Sequence, residues 1–116
     1  TEIFVFESNK IGKHWKGAAL YAKQHYGAMY GVGEGRQGDS YAIPTKGHKL
    51  EVLSLKQIEV RSVHNFLAYA RQHPELSFRL TPIGCGLAGY KHEEIGPMFK
   101  HATPNVIIQD EFKPYV

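Results

Sequence analysis

The sequence has 116 residues, a formal net charge of +3, a single cysteine and ordinary apolar content. This length suits one compact domain and not two, so we expect residues 1–116 to form a single domain. One cysteine excludes an internal disulfide bond, no apolar run is long enough to span a bilayer, and no apolar signal segment stands at the start. We therefore expect a cytoplasmic globular domain without a membrane partner.

The first third of the chain predicts a buried strand, a loop and a helix. Ile3–Phe6 is a continuous apolar run, which is typical of a strand buried on both faces. The segment from Lys16 to Tyr26 contains good helix formers, and Gly27 stands where a C-terminal glycine cap belongs. Residues 27–38 carry five glycines, too many for a regular element, so we predict an irregular segment there.

The remainder alternates between strands and helices. Residues 40–44 predict a strand that Pro44 either ends or places at an edge. Ser54 and Gln57 form a capping box at the start of a long helix, which Pro74 ends and in which Ser62 belongs to the polar, water-facing side. A strand over 78–83, a short helix over 92–100 and a strand over 105–109 follow. The alternation predicts a three-layer α/β/α sandwich with a mostly parallel or mixed sheet.

Two glycine-containing loops follow predicted strands, where open α/β sheets bind ligands. The first, Glu7–Ala18, leads directly into a helix, whose free N–H groups and partial positive charge favour a phosphate. The second, Gly84–Tyr90, has three glycines whose amides can form an anion-binding nest. Together they suit a diphosphate, although such loops also exist only to make tight turns. The candidate ligand-binding residues are Ser8, Asn9, Gly12, Lys16, Gly17, Ala18, Gly84, Cys85, Gly86, Leu87, Ala88, Gly89 and Tyr90.

Other chemistries receive less support from the sequence. Gly33–Gly38 matches the G-x-G-x-x-G dinucleotide pattern, but no helix follows, so we interpret it as a flexible loop able to fold over a ligand. No histidine is linked to Cys85 by sequence as an activating base, so we expect a small buried thiol there. The histidines lack metal-ligand spacing, so we expect no metal site, and we expect no cofactor. Trp15 either fills a local gap or stacks on a base.

The three segments 4–19, 38–45 and 83–90 resemble the macro-domain superfamily, specifically the short macro-like proteins of bacteria and their phages. The resemblance implies a macro-like mixed sheet and an ADP-ribose ligand. It implies that Asn9 lies beside the distal ribose, and that Gly12 to Ala18 and Gly84 to Tyr90 are the two phosphate loops. The chain departs from the family at Glu7, where short members tend to have glycine, and at His14 and Trp15, which stand near an absent triple-glycine run.

The expected function is binding of ADP-ribose or a related NAD-derived nucleotide, with or without hydrolysis. In a hydrolase, Asn9 would orient a water molecule, and Glu7 or His14 would act as general base. A non-catalytic sensor or sequestering protein for a nucleotide signal needs the same loops without a base. A third alternative is a basic-aromatic nucleic-acid-binding module that uses Lys10, Lys13, Lys16 and Trp15. We rank it last, because the phosphate loop already accounts for these lysines.

Overall fold

A five-stranded mixed sheet forms the centre of the computed structural model, which describes residues 1–116. The strands are β1 (Glu2–Asn9), β2 (Gly35–Gln37), β3 (Ser40–Lys46), β4 (Ser77–Leu80) and β5 (Val106–Ile107). They lie in the order β2-β3-β1-β4-β5; only the pairing of β2 with β3 is antiparallel. The chain therefore has the mixed α/β fold that the alternation of elements predicts.

Helical segments connect most of these strands. They are α1 (Gly17–His25), α2 (Leu55–Gln57), a π-helical segment (Ile58–Val63), α3 (His64–Gln72), α4 (His92–Ile95) and two 3₁₀ turns (Gly96–Phe99 and Lys113–Tyr115). The predicted capping box is present, because the Ser54 hydroxyl accepts the Gln57 N–H and the Gln57 side chain accepts the Ser54 N–H. Gly27 follows α1 with φ +77°, the left-handed conformation that ends many helices.

Alternate side chains of β1 pack into two separate hydrophobic clusters, as the pleat of a strand requires. Ile3 and Val5 belong to a cluster of 16 buried residues that also contains Phe66 of α3. Phe6 belongs to a smaller cluster with Ala19 and Ala22 of α1. Each fully buried side chain of this size contributes about 2 kcal/mol, so β1 is held strongly from both faces.

Helix α1 covers only part of its face of the sheet. Arg79 of β4 and Ile107 of β5 lie in register with Phe4 and therefore point to the same face, and both are exposed. Phe4 itself stacks on Tyr26 with ring centroids 4.8 Å apart. The short α1 thus shields from solvent only the half of this face that β1 and β3 form.

The long helix differs from its prediction at Ser62, which is buried and does not face water. The cause is the π-helical segment, in which the N–H of His64 bonds to the carbonyl of Glu59, five residues earlier. A π-helical turn is wider than an α-turn, so the buried face shifts around the axis and includes Ser62 beside Val63.

The prediction that residues 27–38 contain no regular element is also partly wrong. Residues Gly35–Gln37 form β2, and Gln37 is buried, with its side-chain oxygen accepting the Met29 N–H at 2.7 Å and its amide nitrogen donating to the Val32 carbonyl at 3.0 Å. Pro44 lies inside β3 and does not end it, but it stands beyond Ala42, the last residue of β3 that pairs with β2. Both alternatives for this proline are therefore wrong, because β3 continues to Lys46 and lies between β2 and β1 in the sheet. The proline is tolerated there because β2 does not extend far enough to pair with it.

Gly33 provides a test of how tightly this segment packs on the end of β1. A methyl group at Gly33 would overlap the Asn9 carbonyl oxygen and lie 2.6 Å from that of Lys10. We expect Gly33→Ala to lower the free energy of unfolding by about 3 kcal/mol in urea denaturation, because the backbone must move apart. Gly31→Ala is the control: φ is +92° and no atom lies within 4 Å, so we expect a loss of only about 1 kcal/mol. Equal losses would contradict this packing.

Candidate functional site

A cavity of about 440 Å³ opens at the carboxyl ends of β1, β3 and β4. Nine of the candidate residues line it: Glu7, Ser8, Asn9, Lys16, Gly17, Ala18, Cys85, Gly86 and Leu87. Lys13, Trp15, Lys46 and His92 also line it. This volume lies in the range of small-molecule sites, and its position is where open α/β sheets bind ligands.

The other candidate residues do not line this cavity. Gly12, at φ +73°, packs on the backbone of Gly31 and Val32, where a methyl group would overlap main-chain atoms. Gly84, at φ +77°, packs against the Ile95 side chain, 2.9 Å from where a methyl carbon would stand. Gly89 and Ala88 form the turn beyond the lining residues. Tyr90 donates its hydroxyl hydrogen to the Leu53 carbonyl at 2.6 Å, so that group is engaged outside the cavity.

Asn9 fixes the shape of the first loop. Its side-chain oxygen accepts the Lys13 N–H at 2.9 Å, and its amide nitrogen donates to the Lys13 carbonyl at 3.2 Å. The Gly12 N–H also donates to the Asn9 carbonyl at 3.0 Å. Both ends of the Asn9 amide are thus used to close the turn, which places Lys13 and Trp15 at the cavity wall.

His14 lies in the interior and not at the cavity. It is 1% exposed, its Nε2 lies 2.9 Å from the Val32 carbonyl oxygen, and its ring meets Phe6 edge-on at 5.2 Å. Its Nδ1 is buried without a hydrogen-bond partner. His14 therefore anchors the first loop to the segment around Val32, and the structure does not bring it together with Glu7 at the cavity.

The N-terminus of α1 presents free N–H groups to the cavity. The first helical hydrogen bond runs from Leu20 N–H to the Lys16 carbonyl, and the N–H groups of Gly17, Ala18 and Ala19 have no acceptor in the protein. No side chain caps this end, and its first turn contains no acidic residue. The helix dipole is therefore uncompensated at this end.

Three lysines add positive charge at the same place. Lys13, Lys16 and Lys46 line the cavity, and none of them forms a salt bridge. Lys46 was missed by sequence reasoning, although its place at the carboxyl end of β3 was a usable signal.

Trp15 is 53% exposed, with Lys13 Nζ 4.8 Å from its ring centroid. Trp15 lines the cavity and is largely exposed, so the prediction that it fills a local gap is wrong. Stacking on a base stays a prediction.

Glu7 introduces the one carboxylate among the lining residues. Its Oε2 accepts the buried Thr45 hydroxyl at 2.7 Å and the Ala88 N–H of the second loop at 3.2 Å. Its Oε1 has no partner in the protein and is not a buried atom. The carboxylate is thus held toward the 84–90 loop, with one oxygen open to solvent.

Cys85 lies at the cavity beside this carboxylate. Burial, together with the negative charges of Glu7, Glu94 and Glu111, raises the pKa of its thiol to about 11. The thiol is therefore protonated at neutral pH. The expected burial is only partial, because Cys85 lines the cavity.

The residues give no sign of a metal site or of a membrane-spanning helix. No group of three or more His, Cys, Asp or Glu side chains is arranged to hold a metal ion. No helix has both the length and the apolar character needed to cross a bilayer. Comparisons with protein-family models, curated proteins and solved structures gave no match. Functional inference for this chain therefore rests on its own residues and their geometry.

The raised pKa of Cys85 predicts slow alkylation. At pH 8 the folded protein should hold about 100-fold less thiolate than a cysteine of ordinary pKa, because its pKa is about 11 instead of 9.0. We expect its iodoacetamide rate, followed by mass spectrometry, to keep rising through about pH 10. The control is the same protein in urea, in which the rate should level off near the ordinary pKa. If the alkylation rate of the folded protein levelled off at the same pH as in urea, the raised pKa of Cys85 would be refuted.

Proposed function

We propose that this protein binds ADP-ribose or a related NAD-derived nucleotide in the cavity at the strand ends, in the manner of a short macro-domain-like protein. The observation that carries the proposal is that three lysines without salt-bridge partners and three unpartnered N–H groups of α1 line the same cavity. Lysines and a free helix N-terminus are the groups that bind phosphate in proteins.

A three-layer α/β/α arrangement is part of this proposal. It is supported by the two clusters on opposite faces of β1, one containing Phe66 of α3 and the other containing Ala19 and Ala22 of α1. The macro-like identity is supported by the residues of the first loop and of the 84–90 loop, which lie at neighbouring strand ends and meet at the same cavity.

The phosphate groups of the nucleotide would lie at the N-terminus of α1. There the N–H groups of Gly17, Ala18 and Ala19 lack acceptors, and Lys16 and Lys46, which line the same cavity, supply charge. Gly17 has φ +63° and no atom within 4 Å of its missing side chain, so a phosphate oxygen can approach its backbone closely. Charge-assisted hydrogen bonds of this kind are about twice as strong as neutral ones.

Trp15 would provide the surface for the nucleobase. Its exposed indole stands at the cavity wall in the same loop as Lys13 and Lys16. Stacking of a base on an aromatic ring contributes about 1–3 kcal/mol and tolerates different bases.

Binding without an assigned reaction is the function that the geometry supports best. Of the three residues considered for hydrolysis, His14 lies away from the cavity and both ends of the Asn9 amide are engaged in the turn. Only Glu7 offers an open oxygen. The role that we propose for Asn9 is to hold the phosphate loop in shape.

Isothermal titration with ADP-ribose tests the proposal. We expect binding by the wild type and about tenfold weaker binding by Lys16→Ala and by Lys46→Ala, since each loses one charge-assisted contact worth about 1.5 kcal/mol or more. Lys100→Ala, an exposed lysine outside the cavity, is the matched control and should bind normally. No heat with the wild type, or equal losses in all three variants, would overturn the proposal.

Chromatography of the recovered ligand separates binding from hydrolysis. Intact ADP-ribose after prolonged incubation agrees with a binding protein, whereas a cleaved product would show a hydrolase. RNA or DNA binding that falls steeply with salt, without ADP-ribose binding, would favour the nucleic-acid alternative instead.

Asn9→Ala tests the role of the turn. Loss of two hydrogen bonds to the Lys13 backbone should lower the free energy of unfolding by about 2 kcal/mol and weaken ADP-ribose binding together. Asn65→Ala, which removes an exposed contact to Glu34, is the control and should change neither quantity appreciably. Unchanged affinity in Asn9→Ala would contradict the proposed role.

A further inference from the structure

The two glycine loops at the cavity differ in charge. The first ends at the α1 N-terminus beside Lys13 and Lys16, whereas the second, 84–90, has the Glu7 carboxylate against it. We propose that Glu7 makes the second loop a subsite for sugar hydroxyl groups and closes it to phosphate. The ligand class is then a phosphorylated ribose with its phosphate toward α1 and free vicinal hydroxyls toward Glu7. This inference rests on the proposed function and names the part of the ligand that the second loop recognises.

The second loop already holds a negative charge. The Ala88 N–H donates to Glu7 Oε2 at 3.2 Å, so a carboxylate of the protein itself lies against the loop amides. A phosphate group at this loop would have to displace the carboxylate or lie against its negative charge. Electrostatic repulsion in a partly enclosed cavity therefore directs phosphate away from this loop and toward the N-terminus of α1.

The free atoms at the second loop match a hydroxyl group. Glu7 Oε1 accepts no hydrogen bond in the protein and lies 3.5 Å from where a side-chain carbon on Gly86 would stand. The N–H groups of Gly86 and Leu87 are likewise without acceptors. A hydroxyl group both donates and accepts, so it can bond to Oε1 and to a loop N–H; an ionised phosphate only accepts and leaves Oε1 unpaired.

The orientation of Glu7 is fixed before any ligand binds. The Thr45 hydroxyl, which is fully buried, donates to Oε2 at 2.7 Å, and the Ala88 N–H holds the same oxygen from the other side. Such preorganisation leaves Oε1 free to accept a hydroxyl group of the ligand without the cost of ordering the side chain on binding. Gly86 contributes by leaving the approach to Oε1 free of a side chain.

The experiment compares two ligands of equal charge. Ribose 5-phosphate and 2-deoxyribose 5-phosphate differ in one hydroxyl of the vicinal pair, and both are titrated into the wild type and Glu7→Gln at constant ionic strength. We expect the wild type to prefer ribose 5-phosphate by about tenfold, and Glu7→Gln to reduce this preference below about threefold. Inorganic pyrophosphate should bind Glu7→Gln more tightly than the wild type, because the repelling charge is gone.

Two controls make the result specific to Glu7. Lys16→Ala should weaken both sugar phosphates by the same factor and keep the preference between them. Thermal denaturation of Glu7→Gln, a change of nearly equal size, verifies that the variant is folded.

The outcomes separate this inference from the proposed function. If the wild type prefers ribose 5-phosphate, loses this preference in Glu7→Gln and does not bind ADP-ribose, the hydroxyl subsite is supported and the nucleotide proposal is overturned. ADP-ribose binding with equal affinity for the two sugar phosphates, or tighter ribose 5-phosphate binding by Glu7→Gln, overturns the hydroxyl subsite and leaves nucleotide binding intact. No binding of any of these phosphates by the wild type overturns both.

Discussion

The double-sided burial of β1 is the constraint on which the rest of the structure depends. β1 pairs in parallel with β3 on one side and with β4 on the other, while Ile3 and Val5 pack on one face and Phe6 on the opposite face. A strand held on four sides cannot slip in register without moving every apolar side chain to the wrong face. Its carboxyl end is therefore placed reproducibly, and this end carries Glu7, Ser8 and Asn9 to the cavity.

Much of the fold could be predicted because its signals are local. The apolar run Ile3–Phe6, the Ser54–Gln57 capping box and Gly27 after α1 each depend on residues that are close in sequence. The position of the cavity also followed from the sequence, since parallel strands bring their carboxyl ends to one edge. This reasoning found the first loop and Glu7, but it could not tell which oxygen of Glu7 is engaged or that Thr45 engages it.

The missed features arise from contacts between distant parts of the chain. His14 stands in a polar loop, yet Val32 and Phe6 hold it in the interior. Helical periodicity places Ser62 on the water-facing side, but the π-helical segment shifts it to the buried side. β2 has only three residues, begins with Gly35 and is followed directly by Gly38, so no propensity indicates a strand, and pairing with β3 creates it. In each case tertiary contacts outweigh the local preference of the sequence.

The edges of the sheet have a consequence for how this protein behaves at high concentration. One edge is β2, with three residues, and the other is β5, with two. A strand adds to an exposed edge through a row of unpaired N–H and C=O groups, and edges this short offer few of them. The long strands β1 and β3 lie inside the sheet, where their main-chain groups already have partners along most of their length. The strand order that builds the cavity thus also protects the most apolar strand from pairing with a second chain and from fibrous aggregation.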